Sequence, residues 1–217
     1  QTCALPIYGT TNYILSKMSD EGSEFAVALK EAQACGYAEF DTSDDIDGMD
    51  TAYKVVLSSC KGFGVLANVG DIDIYGIRHI SAKDIAYACK HGYVCKLIGS
   101  GVKSSSTVSG TVIPTFIPKQ NIFATIPANF NAIESDSKTL GKMTYVGQGA
   151  GSYPTAHAVV QDLIDLVLHQ DTEVSTGVSV CVDNKSRVSS FYVRSANLNR
   201  MEEVIEERVD EDTCITK

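Results

Sequence analysis

Along the first third of the chain apolar residues fall at helical spacing, and through the middle they switch to the alternating or continuous runs of strands. Tyr13, Ile14 and Leu15, behind the polar Gly9-Thr10-Thr11-Asn12, predict a helix over Thr10–Met18. A second helix is predicted over Glu24–Cys35, with Ser23 as its cap, Phe25, Ala28, Leu29 and Ala32 on one face, and Gly36 as its stop. A polar loop over Tyr37–Gly48 leads to a third helix, about Met49–Cys60. Ile72, Ile74 and Ile77 suggest a short strand or an extended connection. Ser81 and Asp84 make a capping-box start for a helix to about His91, closed by Gly92.

Strand patterns follow at Tyr93–Ile98, Thr107–Ile117, Asn131–Ser135 and Lys142–Val146, the last two joined by a hairpin turn around Ser137–Gly141. After the glycine-rich Gly147–Ser152, Pro154 opens an amphipathic helix to about His169, on which Val159, Leu163, Leu166 and Val167 repeat. Beyond Gln170 a polar linker precedes a strand at Val188–Val193, a helix at Asn199–Arg208 and a strand at Thr213–Thr216. The implied fold is α/β, a mixed β-sheet flanked by helices, with a small C-terminal βαβ-like tail. Gln1–Ile7 has no period and no initiating methionine, and reads as a translated sequencing-library adapter. Residues 1–8 are therefore set aside as a scar or remnant, 9–170 as the main region, and 171–217 as linker and tail.

Composition narrows the function classes. A 217-residue chain with 44% hydrophobic and 21% charged residues can bury one sizeable core and is ordinary for a soluble protein. A net charge of −9 argues against nucleic acid, which needs a basic face. No apolar run reaches the ~20 residues of a membrane span, and no signal peptide is evident. The 7 cysteines have irregular spacing and no C-x-x-C, so they read as buried, reduced thiols of a cytoplasmic protein. His79, His91, His157 and His169 show no ligand spacing, and no metal is expected.

The acidity is local. Glu39, Asp41, Asp44, Asp45, Asp47 and Asp50 crowd one stretch, where mutual repulsion suits a site for a cationic group. Asp50 and Lys54, four apart, share a face on a helix and could exchange a proton with a substrate oxygen. Spacing alone, however, describes equally a surface ion pair worth ~0.3–0.5 kcal/mol beside a solvated loop.

Longer motifs decide between them. Gly9-Thr10-Thr11-Asn12-Tyr13-Ile14-Leu15, Glu31-Ala32-Gln33 with Gly36-Tyr37-Ala38-Glu39, and Asp45 through Gly48 to Asp50 and Lys54 occur in order. Gly92-Tyr93, Lys96-Leu97, Ile113-Pro114, Ile117-Pro118, Asn131-Ala132-Ile133, Gly147-Gln148-Gly149-Ala150-Gly151 and Pro154-Thr155-Ala156 continue the series. From about Gly9 to Leu168 the chain resembles homoserine dehydrogenase, without that family's nucleotide-binding domain. The resemblance implies an oxidoreductase of threonine and methionine biosynthesis that interconverts L-homoserine and L-aspartate 4-semialdehyde with NAD or NADP, as a homodimer. It implies Lys54 as proton donor and acceptor with Asp50 as partner, and Glu39 holding the substrate amino group. Asp45, Thr10 and Tyr37 line the same pocket, and Gly36, Gly149 and Gly151 lie against the cofactor. Phe40 and Thr42 depart from the small residue and proline usual in the acidic loop. The chain is expected to be inactive alone.

Gly62-Phe63-Gly64-Val65-Leu66-Ala67 fits G-x-G-x-x-A but follows a helix, so it is rejected as a dinucleotide turn. A different class of function also fits: a catalytically dead amino-acid-binding or regulatory module. The tail is either a regulatory or oligomerisation appendage, somewhat ACT-like, or simple packing.

Overall fold

The computed structural model describes residues 2–6, 9–105, 107–126, 130–149, 151–168, 178–185 and 187–217. They form two compact units, Gln1–Asn184 and Lys185–Lys217. In the first unit, strand β1 (Thr2–Pro6) is followed by helices α1 (Gly9–Glu21), α2 (Phe25–Ala34), α3 (Ser43–Ile46) and α4 (Met49–Phe63). Strands β2 (Val65–Leu66) and β3 (Asp73–Ile74) lead to α5 (Ala82–Lys90) and to the long pair β4 (Tyr93–Lys103) and β5 (Thr107–Pro118). The hairpin β6 (Asn131–Ser137) and β7 (Gly141–Gly147), helix α6 (Ser152–Leu168), and the short strands β8 (Val178–Ser179) and β9 (Cys181–Val182) complete it.

The main sheet has seven strands in the order β3-β5-β4-β1-β6-β7, with β9 also on β5. β3 and β9 run parallel to β5 and the remaining pairs are antiparallel, so the sheet is mixed. β2 and β8 form a separate parallel pair. α1, α4 and α5 pack on the sheet and α2 packs on α1. Ile14, Leu15, Met18, Ala52, Val55, Ile85, Leu97 and Val112 fill the core between them. On α4 the buried residues Thr51, Ala52, Val55, Ser59 and Phe63 recur one turn apart, the stripe that makes the helix and fixes its inward face.

In the first unit the expected helices and the hairpin are present, and the Ser81–Asp84 capping box is formed. Other details differ. Glu24, not Ser23, is the cap residue of α2, and it makes no side-chain cap bond. The acidic loop contains the single-turn α3, started where Asp41 accepts from the Ser43 backbone N–H at 3.1 Å and hydroxyl at 2.6 Å. Thr2–Pro6, excluded on its sequence, is a strand between β4 and β6. Backbone pairing carries a strand there whatever its side chains are. Gly64 ends α4 in the left-handed region, which makes Gly62–Ala67 a helix stop. Cys95 and Cys214 are buried, but Cys60 and Cys89 are half-buried and Cys35 and Cys181 exposed, so the thiols are not uniformly interior. Ala150, His169, Gln170 and residues 171–177 of the expected linker lie outside the described residues.

The second unit is not βαβ. β10 (Tyr192–Arg194), β11 (Ile205–Arg208) and β12 (Thr213–Thr216) form a three-stranded antiparallel sheet in the order β10-β12-β11. The segment expected as a helix is a 3-10 stretch, Leu198–Val204, running into β11. Pairing of Ile205, Glu207 and Arg208 with β12 overrides the helical preference of its Glu and Arg residues. Among the described residues no helix is long and apolar enough to cross a membrane.

One close approach fixes the acidic loop on the sheet. A Cβ at Gly76 would stand 2.2 Å from the Ile46 carbonyl oxygen and 2.5 Å from the Asp47 Cα. The Ile77 N–H donates to that same Ile46 carbonyl at 2.7 Å. The nearest atoms are backbone and cannot yield as a side chain would. Gly76→Ala is expected to destabilise the chain by about 2 kcal/mol or more. A lower urea midpoint at unchanged slope is the measurement, and a wild-type midpoint would contradict it.

Candidate active site

Thr10 opens α1 as a buried residue, and its hydroxyl donates to the Tyr37 carbonyl at 2.8 Å. Tyr37 comes just after α2, whose end is a Schellman-type stop. The Tyr37 N–H returns to the Ala32 carbonyl at 2.9 Å and the Gly36 N–H to Gln33 at 3.1 Å, with Gly36 at φ 74°. The stop turns the chain back across α1, and the Tyr37 ring lies 4.9 Å from that of Tyr13. Gln33 holds the next residues from below, its amide donating at 3.2 Å to the carbonyls of Glu39 and Phe40. Glu39 is left with an exposed side chain.

Asp45 sits on α3 and Asp50 in the first turn of α4, where the helix N-terminus favours a carboxylate. Lys54 follows one turn on, with Nζ 3.5 Å from Asp50 Oδ2. Burial raises the Asp45 carboxyl above its ordinary value. The Thr10 hydroxyl opposes that shift, and the charges of Asp50, Glu39 and Asp44 add to it. Asp50 is raised by burial and by Asp44, and the Lys54 amine is lowered by burial. Acid and base are thus both pushed towards their neutral forms, and an ion pair as long as 3.5 Å does not reverse this.

The structure therefore brings Thr10, Tyr37, Glu39, Asp45, Asp50 and Lys54 into one neighbourhood. Gly36 borders it at the end of α2. Gly149 and Gly151 follow β7, on the edge of the sheet opposite β3, and no described contact joins them to the carboxylates. Gly149 packs on Asn131 so closely that a Cβ would stand 1.6 Å from its amide nitrogen. Gly151, at φ 120°, precedes α6.

Two features escaped the sequence reading. Arg78 clamps Asp47 through two bonds of 2.8 and 2.7 Å, which hold that carboxyl below its usual range. This takes one carboxylate out of the cluster and pins the loop to the segment after Gly76. Lys96, on β4, is buried and donates to Asn12 and Ser16 of α1. The sequence reading used Lys96-Leu97 only as one motif of the resemblance and gave Lys96 no role.

The sequence profile of one family, homoserine dehydrogenase, matches residues 7–164. The homoserine dehydrogenase of Neisseria gonorrhoeae is 42% identical over 160 residues, covering 74% of this chain and 37% of the relative. This chain thus spans little more than a third of that relative's length. The crystal structure of a homoserine dehydrogenase from Thiobacillus denitrificans superposes with a TM-score of 0.85 at 31% identity, covering 99% of this chain and 56% of that one. A hyperthermophilic archaeal homoserine dehydrogenase mutant in complex with NADPH superposes with a TM-score of 0.63 at 26% identity, over 77% of this chain and 47% of that one.

The carboxylate shifts have a stability consequence. Where the folded pKa lies above the unfolded one, the folded state binds the proton more tightly, so the charged form is penalised. The penalty is full above the folded pKa and disappears as pH falls through it towards the unfolded value. Asp45→Asn and Asp50→Asn are therefore expected to melt a few degrees above wild type at neutral pH, with the gap closing below the ordinary carboxylate range. Thermal melts across that pH window test this, and a gap that persists in acid would contradict it.

Proposed function

Because the chain belongs to the homoserine dehydrogenase family of oxidoreductases, we propose that it carries the substrate-handling half of an NAD(P)-dependent interconversion of L-homoserine and L-aspartate 4-semialdehyde. The observation that carries this reading is the half-buried Asp50–Lys54 pair, set beside Asp45. Homoserine offers an ammonium, a carboxylate and a primary alcohol. Glu39 and Asp45 receive the ammonium, which supplies the positive charge their crowding lacks. Lys54, its amine lowered by burial, takes the hydroxyl proton as the alcohol is oxidised and returns it in the reverse direction. Asp50 orients Lys54 and stabilises its ammonium once formed. Thr10 and Tyr37 shape the wall between them.

The nicotinamide, when bound, accepts the hydride leaving the alcohol carbon. Gly36 suits it, because nothing lies within 4 Å of where a Cβ would stand and a flat ring can come against the backbone. Gly149 and Gly151, before the N-terminus of α6, suit the nucleotide's phosphates. The relative in complex with NADPH supports a nicotinamide cofactor, NAD or NADP. On this reading residues 9–170 are the catalytic and dimerisation region and 171–217 a linker and appendage. The enzyme acts as a cytoplasmic homodimer in threonine and methionine biosynthesis.

The full-length protein is expected to oxidise homoserine. Lys54→Ala or Asp50→Ala should lower kcat by roughly 10²–10⁴-fold, the scale of acid–base catalysis. Glu39→Gln should instead act mainly on the KM for homoserine. Steady-state kinetics of the variants decide this, and wild-type turnover in Lys54→Ala would overturn the assignment.

A further inference from the structure

Lys96 is the fourth residue of β4 and faces α1, with 4% of its surface exposed. Its ammonium donates to Asn12 Oδ1 and, at 3.2 Å, to Ser16 Oγ, residues one turn apart on α1. Ser16 Oγ in turn donates to Asn12 Oδ1 at 3.4 Å, closing a small polar triangle between strand and helix. A cavity of about 230 Å³ adjoins it, lined by Ser16, Ser19, Asp20, Cys95 and Lys96 among others.

An apolar side chain of similar length would fill this volume without the desolvation of a buried charge. What it would not supply is direction. Packing between a helix and a sheet tolerates small slides and rotations, whereas hydrogen bonds to two successive turns fix both. Asn12 lies two residues beyond Thr10, in the helical turn whose hydroxyl reaches the Tyr37 carbonyl and opposes the shift of Asp45.

We propose that Lys96 is a positioning residue for the candidate active site. By gripping Asn12 and Ser16 it sets the first turn of α1 on the sheet, and so places Thr10 against Tyr37 and Asp45. The hydrogen bonds described for Lys96 go to Asn12 and Ser16, so its effect on the site runs through α1. The lowered value of the amine, about 8 through burial and opposed by Asp20 and Cys95, leaves it mostly protonated at neutral pH, as the grip requires. The role rests on the homoserine dehydrogenase reading above.

The test is steady-state kinetics of the full-length enzyme with homoserine and cofactor, with rates normalised to folded protein by circular dichroism. Lys96→Met is expected to lower kcat on the order of ten-fold while the cofactor KM stays within about two-fold, because misplacement acts on the chemical step. Lys96→Arg, which keeps a charged donor, should recover most of that loss. Asn12→Ser, a milder cut at the other end of the same link, should lower kcat in the same direction. Combined with Lys96→Met it should cost less than the product of the two single effects. If Lys96→Met does not fold, Asn12→Ser and Lys96→Arg carry the decision. Folded variants with wild-type kcat and only a lower melting temperature would overturn the positioning role alone. A wild-type enzyme that does not oxidise homoserine would overturn the functional reading, and this role with it.

Discussion

A helix that buries polar residues in its first turn cannot be placed by the hydrophobic effect alone, and α1 begins with Thr10, Thr11 and Asn12, all buried. Each such group left unpaired costs about 1–3 kcal/mol, so the turn is stable only where partners meet it. Tyr37 provides one from the chain leaving α2, and Lys96 provides another from β4. Thr11 Oγ1 has no hydrogen-bond partner among the described residues. The consequence is mechanical. α1 joins the acidic loop to the central strand of the sheet, and its apolar residues Ile14, Leu15 and Met18 then settle into the core below.

The acidic stretch is ordered by a division of labour among its carboxylates. Asp41 is spent on starting α3 and Asp47 on the fork with Arg78, and both are held low by those bonds. Gly76 lets the strand connection come against Ile46 and Asp47 at backbone distance. With the loop anchored at these points, Asp45 and Asp50 are left desolvated, with Lys54 as the nearby cation. A structural role satisfies its charges. Asp45 and Asp50 are instead held half-buried with one partner each, Thr10 and Lys54, which sets them apart from a solvated loop.

How far the sequence could be read follows from where the forces are local. The stripe of α4 and the cap of α5 are written within a few residues, and both were legible. The tail was not, because Asn199–Arg208 has helical composition and its strand exists only by pairing with β12, across a turn. Lys96 was opaque for the same reason: its partners are 84 and 80 positions away. The Asp50–Lys54 spacing was visible but ambiguous, since an i, i+4 pair has the same pattern on any helix. It acquired meaning from the ordered motifs around it, and the structure added the burial that spacing cannot show.

That burial also orders the events expected at the site. Burial raises the Asp45 and Asp50 carboxyls and lowers the Lys54 amine. An arriving ammonium reverses the balance on the carboxylates, because a cation within a few ångströms favours their charged form. The same carboxylates, once charged, stabilise an ammonium on Lys54. On the proposed reading, the carboxylates then face two cations in turn, the substrate ammonium and the Lys54 ammonium that forms as the alcohol gives up its proton. Both roles need Asp45, Asp50 and Lys54 to stay close together, half-buried beside the first turn of α1.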